Sequence, residues 1–83
     1  MQVATDGGGS IRGPAAAAGV FGLKPSFGRV PGYPPAHTGT VFHVGPITRN
    51  VTDAALLLNV ISGWDARDWF CLPHDGRDWR VGL

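Results

Sequence analysis

TDGGGSIRGPAAAAGVFGLKP, residues 5–25, carries the strongest local signals in the chain. Val3 and Ala4 lead into an uninterrupted glycine run at Gly7, Gly8 and Gly9, after which Ser10-Ile11-Arg12 opens onto Pro14 and four alanines. This reads as the end of a strand, a tight loop, and a short helix with Pro14 in its first turn, where the missing N–H is harmless. Gly19-Val20-Phe21-Gly22-Leu23 is compact and apolar, and Lys24-Pro25 ends it because the residue before a proline is pushed toward extended geometry. A short buried strand is expected over residues 20–24. Strand, loop, helix and strand in this order predict the α/β class.

Downstream, residues 26–38 carry Gly28, Pro31, Gly32, Pro34 and Pro35, which leaves little room for regular structure and predicts a surface loop of the kind that sets specificity. Thr40 to Val44 alternates as a strand would, and Gly45-Pro46 reads as a turn. Asn50 is a good N-cap, with Asp53 three places on to meet the exposed amides of a helix. Val51, Ala54, Ala55, Leu58 and Ile61 then repeat at helical spacing with Leu57 widening the stripe, and Gly63 stands where a left-handed stop belongs. Burying Leu57, Leu58, Val60 and Ile61 would contribute on the order of 1.5–3 kcal/mol each, given a surface to cover them. Residues 64–83 hold Trp64, Trp69 and Trp79 among Asp and Arg without a period, an extended tail expected to lie along something larger, its tryptophans packing rather than forming a ligand platform.

The composition bounds the rest. Eighty-three residues make one small domain at most, with a thin core. Charges nearly cancel at +1, and no basic block suggests a nucleic-acid or membrane partner. Cys71 is alone, so no internal disulfide forms, and neither cysteine nor histidine spacing suggests a metal site; a reducing, cytoplasmic setting is expected. The first residues have neither the basic opening nor the apolar run of a secretory signal, so Asn50-Val51-Thr52 is read as a chance glycosylation pattern.

Chemistry centres on Ser10. A nucleophilic serine needs donors aimed at the oxyanion that forms on its target carbonyl, and glycines let main-chain amides approach that atom closely. Gly7, Gly8, Gly9 and Ser10 offer four amides in sequence, while Asp6 and Arg12 are candidates to support the loop, Arg12 by pairing with Asp6 or with carbonyls. Other readings of the same residues stand beside this one. Glycine loops before helices also hold phosphate, though the Gly-Lys-Ser/Thr ending is absent. His37 or His43 would serve Ser10 as base in a Ser-His-Asp arrangement with a tail aspartate, but the Gly-x-Ser-x-Gly elbow is broken at Arg12.

The quoted stretch resembles the central motif of the amidase signature family, a Gly-Gly-Ser followed by Ile-Arg, a proline among small residues, and Gly-Leu-Lys-Pro. The likeness continues through Ser26-Phe27-Gly28-Arg29-Val30-Pro31, His43-Val44-Gly45-Pro46-Ile47-Thr48-Arg49 and Val51-Thr52-Asp53-Ala54-Ala55, covering nearly all of residues 3–73. It departs at Gly13, where a larger residue is common, and at Ala17-Ala18, where an aromatic and a cysteine or threonine are frequent. The resemblance implies that residues 1–83 are part of a large mixed sheet flanked by helices. It further implies that Ser10 is the acyl-forming nucleophile, Gly7 to Ser10 the oxyanion hole, the substrate a small-molecule amide, and that no cofactor is used. Family members activate the serine through a Ser-cisSer-Lys triad whose other members precede the motif. The nine residues before Ser10 contain neither lysine nor serine, and Lys24 falls on a peripheral element, so the chain alone is expected to be inactive. Members include the glutaminase component of transfer-RNA amidotransferases. A second class of function also stands: a truncated, non-catalytic module that self-associates or completes an enzyme, since its helix face and strands lack cover.

Overall fold

The computed structural model describes residues 1–83. Its elements in order are β1 (Gln2–Asp6), α1 (Arg12–Ala18), β2 (Phe21–Gly22), a single 3-10 turn (Gly39–Val41), β3 (His43–Thr48) and α2 (Val51–Ile61). They form a small α/β fold. The three strands make one sheet in the order β1-β3-β2, both pairings antiparallel, with Asp6 opposite His43, Gln2 opposite Ile47 and Phe21 opposite Thr48.

β3 corrects the reading of residues 40–46. The chain at Gly39–Val41 is 3-10, and the strand runs straight through Gly45-Pro46, which does not turn. A residue in an antiparallel ladder points its N–H and C=O to the same side. The Pro46 carbonyl accepts from Leu23 N at 3.1 Å, so the donor that proline lacks faces the β2 flank, where β2 has already ended at Gly22. No bond to β1 is lost. Gly45 is needed for close approach: a Cβ there would overlap the Leu23 carbonyl and stand 3.1 Å from Ile11 Cδ1. That same crossing of Leu23 to Pro25 limits β2 to two residues instead of the five expected.

Helices cover opposite faces of the sheet. A Cβ on Gly22 would lie 2.7 Å from Ala15 Cβ and 3.1 Å from Ile11 Cγ2, so α1 and the turn before it sit against that face. Phe21 points the other way and lines a groove with Ala54, Ala55 and Leu58 of α2. The buried apolar set is thin: Ile11, Ala15, Val30, Ala54, Ala55 and Leu58. Of the α2 residues available for burial, Leu58 is buried, Leu57 and Ile61 are half-buried, and Val60 is exposed.

α2 starts as its sequence predicts, the Asn50 side-chain oxygen accepting from Asp53 N at 2.8 Å. Its end differs. Gly63 is not in the left-handed region; the chain leaves through Ser62 at φ −90°, whose hydroxyl accepts from the Trp79 indole at 3.2 Å. The left-handed stop belongs to α1, where Gly19 at φ 68° donates to the Ala15 and Ala16 carbonyls.

The tail, residues 64–83, lies along its own chain and carries no strand or helix. Leu72 N donates to the Gly28 carbonyl at 2.8 Å, Gly32 N donates to Asp68 Oδ2 at 3.0 Å, and Phe70 packs on Phe27. Gly28, in the stretch expected to be a surface loop, is buried against Phe70 and Leu72, and Val30 in the same stretch is buried too. Trp79 is half-buried on α2, while Trp69 is 92% exposed. No helix is long and apolar enough to cross a membrane.

Candidate active site

The glycine loop spans from the end of β1 to the start of α1 and wraps around one carboxylate. Asp6 is 1% exposed. Its Oδ1 accepts from Gly9 N at 2.8 Å and Arg12 Nη2 at 3.1 Å, and its Oδ2 accepts from Ile11 N at 3.2 Å, Arg12 N at 3.4 Å and Arg12 Nε at 3.0 Å. No side chain within the turn at Ile11 caps α1; Asp6 does so from the preceding strand. The Arg12 guanidinium holds the Asp6 carboxyl well below the usual carboxylate range, burial opposes this, and the amides of Gly9, Ile11 and Arg12 reinforce it. Gly9 makes the wrap possible at φ 111°, and its carbonyl accepts from Gly13 N at 2.7 Å to begin the helix.

This arrangement sorts the four amides expected to face an oxyanion. Gly9 is the exception, because its N–H is held by Asp6. The amides of Gly7, Gly8 and Ser10 make no hydrogen bond within the chain, and Gly7, Gly8 and Ser10 are all exposed. Arg12, which is bonded to Asp6, is 58% exposed at its side chain. At seven residues, α1 contributes little dipole to the loop.

None of the bases weighed for Ser10 bonds to it. His43 Nδ1 lies 2.8 Å from the Val41 carbonyl and 3.2 Å from the Asp6 carbonyl. Lys24 Nζ donates to the Pro25 carbonyl at 2.8 Å, and His37 is an exposed loop residue. Of the tail aspartates, Asp65, Asp75 and Asp78 face arginines and Asp68 accepts from the Gly32 and Phe70 amides, and none is bonded to His37 or His43. No group of three or more His, Cys, Asp or Glu side chains is gathered in the fold. Local sequence suggests no role for His43 at the loop other than base; its place opposite Asp6 follows from strand register, which only the fold supplies.

A family model described as Amidase matches residues 1–80. Among curated proteins, the A subunit of glutamyl-tRNA(Gln) amidotransferase from Syntrophus aciditrophicus (strain SB) is 48% identical over 77 residues, 92% of this chain and 16% of that protein. The protein of the same name from Syntrophobacter fumaroxidans (strain DSM 10017 / MPOB) is 46% identical over 83 residues, 99% of this chain and 17% of its own length. That from Trichlorobacter lovleyi (strain ATCC BAA-1151 / DSM 17278 / SZ) is 57% identical over 65 residues, 77% of this chain and 13% of its own. The chain thus spans about a sixth of the length of the curated relatives it matches.

Proposed function

We propose a function from one premise: this chain belongs to the amidase family. In this reading residues 1–83 are the nucleophile-bearing part of an amidase domain that hydrolyses carbon–nitrogen amide bonds. Ser10 Oγ attacks the amide carbonyl carbon, its proton passing to a base outside these residues, and the C–N bond breaks as the amine leaves with a proton. Water then releases the acid from acyl-Ser10. The amides of Gly7, Gly8 and Ser10 take the charge on the tetrahedral oxygen, and Asp6 with Arg12 fixes the loop that presents them.

One observation carries the reading: an exposed serine stands at the end of a loop in which Asp6 consumes the Gly9 amide while three other amides stay unpartnered. No lysine base reaches Ser10 within the 83 residues, so the isolated chain does not turn over amides. A second reading is favoured by the names of the relatives, in which the same segment belongs to a transfer-RNA amidotransferase. The lone Cys71 suits a reducing, cytoplasmic setting in either case.

The test replaces the matching segment of the S. aciditrophicus protein with the aligned part of this chain and treats the chimera with a fluorophosphonate. A covalent adduct mapped to Ser10, absent from Ser10→Ala and from the 83 residues alone, is the expected result. A folded chimera that stays unlabelled, or that labels equally in Ser10→Ala, defeats the reading. Glutamine turnover by the chimera kept free of the probe, lost in Ser10→Ala, would favour the amidotransferase reading for this segment.

A further inference from the structure

We propose that His43 is a positioning residue of the glycine loop, holding the loop's entry while the Asp6 carboxylate holds its exit. Both groups within reach of His43 Nδ1 are main-chain carbonyls, Asp6 at 3.2 Å and Val41 at 2.8 Å. Carbonyls only accept, so Nδ1 carries a hydrogen and shares it between them. The Asp6 carbonyl is the last one before Gly7. Its position therefore sets where the chain departs from β1 into the loop, and the facing pair Asp6–His43 puts the imidazole beside it.

The ring is itself held. Phe27 meets it edge-on at 5.9 Å between centroids, and the same Phe27 packs on Phe70 of the tail. Val41 belongs to the 3-10 turn, and a Cβ on Gly7 would lie 3.8 Å from the Val41 carbonyl, so the turn backs directly onto the loop. One imidazole N–H thus joins the end of β1 to the 3-10 turn, at the opposite end of the loop from Arg12. Three glycines in a row have high conformational entropy, and two fixed ends are what keep the Gly7 and Gly8 amides in one orientation. This accounts for a half-buried histidine at the loop that makes no bond to Ser10. It rests on the reading of Ser10 as nucleophile only for its catalytic consequence, not for its geometry.

The test uses the 15N-labelled 83-residue chain as wild type, His43→Phe, which keeps the contact with Phe27 and loses the donor, and His43→Asn, which keeps a donor near Nδ1. Heteronuclear NOEs of Gly7 and Gly8 and exchange protection of the Gly9 amide report on the loop, with α2 amides as the internal reference for folding. In H43F the Gly7 and Gly8 NOEs are expected to fall and Gly9 protection to drop about tenfold, the equivalent of one hydrogen bond, while α2 is unchanged and H43N restores most of the loss. Unaltered Gly7 to Gly9 in H43F, or H43N as loose as H43F, overturns the proposal. So does an Nε2–H tautomer of His43 in wild type, read from its ring 15N shifts above the histidine titration range, a readout that needs no variant to fold. In the chimera, H43F is expected to slow Ser10 labelling about tenfold with rescue by H43N. A chimera that never labels leaves the loop measurements intact, so failure of the nucleophile reading and failure of this one are distinguishable.

Discussion

Asp6 is the residue on which the candidate site turns, because its buried carboxylate gathers three amides and the partly exposed Arg12 guanidinium. Its pKa is depressed in the folded state, so its contribution is fully present above the ordinary carboxylate value of about 3.9 and is lost as pH falls through the depressed value. Acid melts of wild type should therefore steepen below about pH 4, and Asp6→Asn should lower stability at pH 7 while flattening that limb. Parallel acid limbs in the two proteins would show that Asp6 has no such linkage. Gly22 acts by what it leaves out. Gly22→Ala would drive a methyl to 2.7 Å from Ala15 Cβ, and overpacking of this kind costs about 1–3 kcal/mol in urea unfolding.

Among the elements, α2 is the one the sequence specifies most completely, since its cap is local and its stripe is periodic. Asn50 and Asp53 bond to each other twice, amide to side chain and side chain to side chain. Asn50→Ala is expected to destabilise by about 1 kcal/mol, read from the denaturation midpoint at constant slope. β3 is the contrasting case. Gly-Pro is a turn signal in any local reading, yet here glycine makes room for Leu23 and proline directs its missing donor to a flank with no strand left to serve.

For the whole molecule, the tail supplies cover that residues 1–63 lack. Trp79 bonds to Asn59 and Ser62, and Arg77 and Arg29 lie 4.9 and 5.8 Å from its ring centroid. Trp79→Ala should release the tail from α2, lowering stability by about 2 kcal/mol, less than for a fully buried tryptophan because the ring is only half covered. Faster tryptic cleavage at Arg77 and Arg80 would register that release, and unchanged cleavage would contradict it. β1 stays open on its outer edge, with Val3 47% exposed and neither proline nor lysine to guard it. Light scattering is expected to show self-association of the 83-residue chain that Val3→Lys abolishes; a monomeric wild type would remove the open edge as a driver.

Local signals carried much of this. The glycine run and Pro14 determined a strand, loop and helix in that order, and Asn50 with Asp53 determined the start of α2, because capping and backbone freedom are decided within a few residues. The motif around Ser10 was legible for the same reason. That His43 reaches the Asp6 carbonyl, that β3 passes through Gly45-Pro46 beside Leu23, and where the tail lies depended on residues 17 to 44 positions apart coming together. Such contacts exist only after strands choose a register and helices a face, and no spacing along the chain encodes that choice.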